Sequence, residues 1–296
     1  MNVIVKNELE PLFKTIARQS IPAVAYDWLQ TKMQQIHKET SLKTLNSTFV
    51  LLPRKTGHGP LTITIVQLNA IANKIPGFAI NDWTADRLCR CWLLMNIKVN
   101  EPAIYEATIE NLFATAEMNE QVALYSALPL LAFPQAWLHR CTEGVRSNIG
   151  DVLNAIMYHN PYPAQNLPQP PWNQLVLKAF FTGKDITKIV GIDERANVAL
   201  AETLVDYASE RSSAGRAVNP QLWRLVTPFL TEAALPFFEK LLVSKLPVER
   251  YAAVLACHQS NHSAANNLLQ KYPQQVSAVA EKNITWNNLH LFTSSF

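Results

Sequence analysis

Between residues 120 and 224 the sequence sets polar side chains one at a time into apolar helical sequence instead of grouping them on solvated faces. Arg140, Glu143, Arg146, Asn148, His159, Asn160, Asn173, Lys178, Asp193, Arg195, Asn197, Asp206, Glu210 and Arg211 stand this way, among the aromatic residues Tyr162, Trp172 and Tyr207. A buried charge is stable only when it is paired or hydrogen-bonded, so the pattern predicts that these residues meet across helices in one enclosed polar network. Such a network could bind a ligand. By itself it names no reaction.

Smaller groupings within the set suggest particular chemistry. Arg140, Glu143 and Arg146 follow at steps of three, along one line of a helix. They form either an ordinary intrahelical ladder or an arginine fork oriented by a glutamate toward an anionic or carbonyl group. His159 lies at a predicted helix end beside Asn160; it is read either as a dipole partner of that helix or as a general base. Glu202, Asp206 and Glu210 repeat at steps of four and repel one another; they read either as a solvated acidic face, the reading preferred for Glu202, or as a set that calls for cations, with Arg211 and Arg216 local and Arg195, Lys178, Arg146 or Arg224 from neighbouring helices. Asn197 is placed to cap the helix after it, which leaves Asp193 and Arg195 unexplained. Trp172 and Tyr207 read as core or as a wall for a planar ligand. The chain has no Gly-x-Ser-x-Gly, no P-loop and no Gly-x-Gly-x-x-Gly. His258 and His262 are separated by a predicted helix break, so neither a metal site nor a cofactor is expected.

The elements that must position these groups are helical. Apolar spacing of 3.6 residues predicts helices over 8–17, 24–36, 83–95, 102–115, 119–128, 135–158, 172–181, 198–214, 220–230, 233–242, 248–258 and 263–271. In the helix over 83–95, Leu88, Trp92 and Met95 form the apolar side and Asp86, Arg87 and Arg90 lie elsewhere. The exception is 49–65, where two apolar runs flank Gly57-His58-Gly59-Pro60 and read as a short β-hairpin, or as a loop entering a helix at Thr62 or Thr64. The prolines of His159-Asn160-Pro161-Tyr162-Pro163 should end the long helix, with Pro168, Pro170 and Pro171 keeping the connection extended as far as Trp172. Short helices punctuated by Pro236, Pro247 and Pro273 predict an all-α, irregular α-α superhelix or HEAT-like array.

Composition narrows the function. The 296 residues are 48% hydrophobic and 17% charged, and the net charge of +3 comes without any basic block. A nucleic-acid partner is therefore not expected. The longest apolar passage, 122–137, is interrupted and shorter than the roughly 20 residues of a membrane span, which argues against direct membrane insertion. The amino terminus reads as neither a signal nor a transit peptide, and the protein is expected to be cytoplasmic. Cys89 and Cys91 pack as small hydrophobes in an amphipathic helix, consistent with a reducing compartment.

At these residues the sequence resembles a known family. The resemblance is carried by Glu143-Gly144-Val145-Arg146-Ser147-Asn148, His159-Asn160-Pro161-Tyr162-Pro163, the stretch from Trp172-Asn173 to Phe180-Phe181, Asp193-Glu194-Arg195-Ala196-Asn197 and Asp206-Tyr207-Ala208-Ser209-Glu210-Arg211. Leu52-Pro53-Arg54, Ala123-Leu124-Tyr125, Leu128-Pro129-Leu130 and Leu222-Trp223-Arg224 support it in the same order. Together they are similar to the EboA family. His58 stands where lysine is expected in that family, and Ser212 where tryptophan is common.

The resemblance implies one EboA-like helical domain over 1–296, divisible into a core over 1–230 and C-terminal hairpins over 231–296. It further implies a place in the traffic of secondary-metabolite precursors. The neighbours expected from it are a UbiA-type prenyltransferase-like membrane protein, a TatD-like metal hydrolase and sugar-phosphate-isomerase-like proteins of the same gene group, the ebo operon. The expectation is a binding or handover protein for a small anionic or carbonyl-bearing metabolite. The alternatives are a scaffold for the other operon proteins and an enzyme using His159 or the Asp206/Glu210 pair.

Overall fold

Apolar residues at helical spacing build helices almost everywhere in the computed structural model, which describes residues 3–39, 41–98 and 101–292. Contacts divide the chain into two compact units, Met1–Leu175 with Lys188–Val190, and Val176–Thr187 with Gly191–Phe296. Residue 230 falls inside the second. The fold is all-α: among the described residues no strand forms, and β pairing is confined to two isolated bridges, Pro60 with Thr84 and Tyr158 with Ile189.

The first unit holds α1 (Val3–Ser20), α2 (Ala23–Glu39), α3 (Leu42–Thr56), α4 (Ile65–Lys74), α5 (Ala85–Met95), α6 (Pro102–Thr115), α7 (Met118–Ser126), α8 (Leu138–Val145), α9 (Gly150–Met157) and α10 (Tyr162–Asn166). Helix α11 (Gln169–Phe181) carries the chain into the second unit, whose helices are α12 (Val198–Ser213), α13 (Leu222–Val226), α14 (Leu235–Leu242), α15 (Pro247–Gln259), α16 (Ser263–Leu269) and α17 (Pro273–Glu281). Each unit is built around one helix. In the first, α1, α3 and α7 pack on α5, which is buried along its whole length apart from Arg87. In the second, α13, α14, α16 and α17 all pack on α15.

The hairpin over 49–65 does not form: 49–56 belongs to α3, 57–64 is a loop, and that loop enters a helix at Thr64, the alternative reading. Leu45, Thr48, Phe49, Leu52 and Thr56 of α3 are buried at helical spacing, and the Ser41 side chain caps the helix by accepting the Thr44 N–H at 3.3 Å. The entry at Thr64 is a reciprocal capping box with Gln67. Pro53 sits inside α3, so the carbonyl of Phe49, four residues back, has no helical N–H to accept. The guanidinium of Arg90 on α5 fills that gap, with Nε donating to Phe49 O at 3.1 Å.

The helix predicted over 135–158 is broken at 146–149. The Ser147 hydroxyl takes the Ile149 N–H at 3.0 Å, a local bond that competes with helix, and α9 restarts at Gly150. The two halves fold back on each other at Gly144, where a Cβ would lie 2.4 Å from Ile156 Cδ1 and 2.6 Å from Tyr125 Cε1. The segment after His159 is the short helix α10, not an extended loop. Pro170 and Pro171 lie within the first turn of α11, where a missing N–H removes no helical bond.

Cys89 and Cys91 are fully buried, as small hydrophobes would be, and burial pushes the Cys91 and Cys141 thiols up to about 12. Thiolate is the reactive form. The native protein should therefore be inert to Ellman's reagent at pH 8 and release all four cysteines on unfolding. Gly144→Ala is expected to destabilise the first unit by about 1–3 kcal/mol in chemical denaturation through overpacking. Gly59→Ala, with nothing within 4 Å of its Cβ, should leave the midpoint unchanged.

Candidate functional site

A cleft of about 560 Å³ opens in the first unit. Its walls are the loop after α3 with His58, the segment Ala79–Thr84, the first turn of α5 with Asp86 and Arg87, Asn119 and Val122 of α7, Asp151 and Asn154 of α9, then Tyr158, His159 and Lys188. Backbone bonds tie these loops to one another. Ala85 N–H donates to Gly59 O at 2.9 Å, Ala79 N–H to His159 O at 3.3 Å, and His159 N–H to Lys188 O at 2.9 Å. His159 adopts a left-handed conformation with φ of 52°, and so does Gly77 with φ of 82°, packed against Val190.

Beneath the cleft lies a buried charge network. Asp86 and Arg90, four residues apart on α5, pair at 3.0 Å with side chains only 3% and 2% exposed. Arg90 also lies 3.6 Å from Glu120 of α7, whose other oxygen accepts the Glu117 N–H. His58 Nδ1 stands 3.2 Å from the second oxygen of Asp86. Two carboxylates thus share one guanidinium, which rests on the Phe49 ring at 5.2 Å.

The two cations lining the cleft are supported by aromatic rings instead of acids. Arg87 lies over Trp83 at 4.5 Å, and its Nε donates to Ser126 Oγ at 2.7 Å. Lys188 lies over Tyr158 at 5.4 Å. Among the described residues, no carboxylate oxygen comes within 4.0 Å of either one. Burial pulls Arg87 down to about 10, partly offset by Asp82, Asp86 and Asp151 at longer range, so it remains cationic at neutral pH. Asp82 and Asp151 are exposed. A planar fork fixed at Nε and stacked on an indole has its remaining donors available for an oxyanion.

Of the residues singled out in the sequence, His159 lines this cleft. Others of the first unit lie elsewhere. Arg140 pairs with Glu143 at 2.7 Å and also with Glu110, over the ring of Phe113, on a partly exposed rim. Arg146 and Asn148 face solvent, so the expected ladder stops at Glu143. Asn160 is a backbone clasp: its amide donates to Tyr125 O and Ala155 O, and its oxygen accepts the Tyr162 N–H. Tyr162 is buried with its hydroxyl on Pro134 O, and Trp172 is buried. Asn173 is half-buried.

In the second unit Asn197 caps α12, taking the Leu200 N–H at 3.0 Å as expected. Asp193, exposed, accepts from Arg224 at 2.6 Å, which supplies the partner its sequence position lacked. Arg195 and Lys178 are half-buried. Asp206 and Glu210 are exposed with Glu202 along α12, and Asp206 borders a hollow of only about 120 Å³. Tyr207 is buried against Phe181, and Arg211 lies over Tyr207 with Nε donating to Ala217 O. Neither unit, taken alone, gathers its share of these residues into one enclosed network.

The family model described as metabolite traffic protein EboA matches residues 9–227. The chain belongs to the EboA family. No curated protein and no solved structure matches it significantly. Every residue lining the cleft lies within the stretch shared with EboA, whereas α14 to α17 lie beyond it. Metabolite traffic is what the family is named for, and no described helix is long and apolar enough to cross a membrane.

Sequence reasoning missed Asp86 and Arg90 because an Asp and an Arg four apart also mark an ordinary solvated helix face. A signal was present: α5 has no Lys or Glu, and apart from Asp86, Arg87 and Arg90 every position is apolar or cysteine. Removing one partner of a buried pair strands the other charge. Arg90→Ala is expected to destabilise the protein by about 3–5 kcal/mol in urea titrations, whereas Arg140→Ala at the partly exposed rim should cost about 1 kcal/mol or less.

Proposed function

We propose that this EboA-family chain binds a small organic metabolite with an anionic or carbonyl oxygen, in the cleft of the first unit, and passes it on as a step of metabolite traffic. The observation that carries this reading is Arg87: a desolvated guanidinium, oriented by Ser126 and Trp83, with no carboxylate in contact range. A desolvated cation whose carboxylates stand only at longer range is stabilised by an anionic guest in the cleft. Lys188 supplies a second positive charge, the rings of Trp83 and Tyr158 offer apolar surface, and Asn81, Asn119 and Asn154 add amides. A volume of about 560 Å³ suits a metabolite-sized molecule. Handover would be to the UbiA-type membrane protein or another product of the same operon, as the family resemblance suggests. A network around Arg146, Lys178, Arg195 and Arg211 supports this reading less, because Arg146 faces solvent and Arg211 holds the Ala217 carbonyl in the loop after its helix.

Native mass spectrometry of the protein purified from its own host should show a retained small molecule. In calorimetric titrations phenylpyruvate, which carries a carboxylate, a ketone and a ring, should bind the wild type. Arg87→Gln should weaken it about tenfold or more with little change in melting temperature. Equal affinity in the two proteins, or a loss of binding matched by a loss of folding, would assign Arg87 a structural role alone.

A further inference from the structure

The charge network under the cleft has one acceptor left over. Arg90 holds Asp86 Oδ2 and reaches toward Glu120, so two carboxylates face one cation. Asp86 Oδ1 is buried and receives no well-directed hydrogen bond, and the group beside it is His58 Nδ1 at 3.2 Å. His58 is 59% exposed and lines the cleft. Its position is fixed from both sides along the chain: Gly57 N–H donates to Pro53 O, and Gly59 O accepts from Ala85, the residue before Asp86. A carboxylate oxygen accepts, so the tautomer that suits this neighbour carries its proton on Nδ1 and its lone pair on Nε2, and a small turn of the exposed ring would complete the bond. An imidazole beside a buried carboxylate, with its other nitrogen basic, is the arrangement that general acid–base chemistry uses.

We propose that His58 is a proton-accepting catalytic residue of the cleft, with Asp86 as its positioning residue, and that the guest it acts on is an enolisable 2-oxo acid. The inference rests on the cleft being the ligand site. His58 Nε2 takes a proton from the carbon next to the ketone; that C–H electron pair becomes the C=C bond, and the carbonyl π pair moves onto oxygen. Arg87 meets the developing oxyanion and Lys188 the carboxylate. Return of the proton from Nε2 to that oxygen gives the enol, and the reverse path gives the ketone. The net change is keto–enol tautomerisation, which balances without oxidant, reductant or second substrate.

The test follows the loss of enol absorbance of phenylpyruvate. Wild-type protein should accelerate ketonisation about 100-fold over buffer, the scale of a single general base. His58→Gln, a change at an exposed side chain, should bind phenylpyruvate within about threefold of wild type and lose the acceleration. Because Asp86 is packed against Arg90 in the core, its role is read in the unmutated protein: with ¹⁵N-labelled histidine, the neutral His58 ring should carry its proton on Nδ1. Bound phenylpyruvate that ketonises at the buffer rate, full acceleration in His58→Gln, or a neutral ring protonated on Nε2 overturns the proposal. Failure of the wild type to bind phenylpyruvate at all overturns the ligand reading of the cleft instead.

Discussion

The first unit depends on one buried guanidinium. Arg90 bonds to Asp86 on its own helix, to the Phe49 carbonyl of α3, and lies near Glu120 of α7, so three helices are held in register by one side chain that is almost wholly inaccessible to water. A cation in that position is tolerable only because every neighbour that could complain of its charge is itself an acceptor. The cleft inherits its order from this arrangement. Asp86 and Arg87 are adjacent on the first turn of α5, so fixing Arg90 one turn on fixes both the carboxylate that meets His58 and the fork that faces the open volume.

Much of the helical content could be read from apolar spacing, as α6 (Pro102–Thr115) shows by coinciding with its prediction. The failures have separate physical causes. In α3 a short apolar run next to a glycine turn satisfies both a strand and a helix, and burial of Thr48 and Thr56 decides for helix only once the packing is known. The break at 146–149 depends on a hydroxyl forming a local bond, which periodicity does not register. The prolines at 170 and 171 read as barriers in the sequence, yet within a first turn they are compatible with helix.

The site was less legible than the fold. Several of the single polar residues in apolar sequence have local duties: Asn160 clasps carbonyls, Asn197 caps a helix, and Arg211 holds a carbonyl of the loop after its helix. His159 alone of that set reaches the cleft wall. The residues that build the cleft come from loops, from the first turn of α5 and from α7 and α9; Trp83 and Arg87 carry no distinctive spacing, and partners such as Ser126 and Tyr158 are brought near only by tertiary packing. Family membership and the cleft are complementary here: one supplies the idea of metabolite traffic, the other a volume and a set of charges within the matched stretch.

Pro53 acts through what it lacks. A residue with no amide hydrogen leaves one carbonyl of α3 open, and that vacancy makes an apolar interior hospitable to a charge from another helix. Positions 53 and 90 are therefore chemically tied through the Phe49 carbonyl. A sequence with an N–H at 53 would bring a second donor to that oxygen, and the Arg90 anchor would have to share the acceptor it now holds alone on that side.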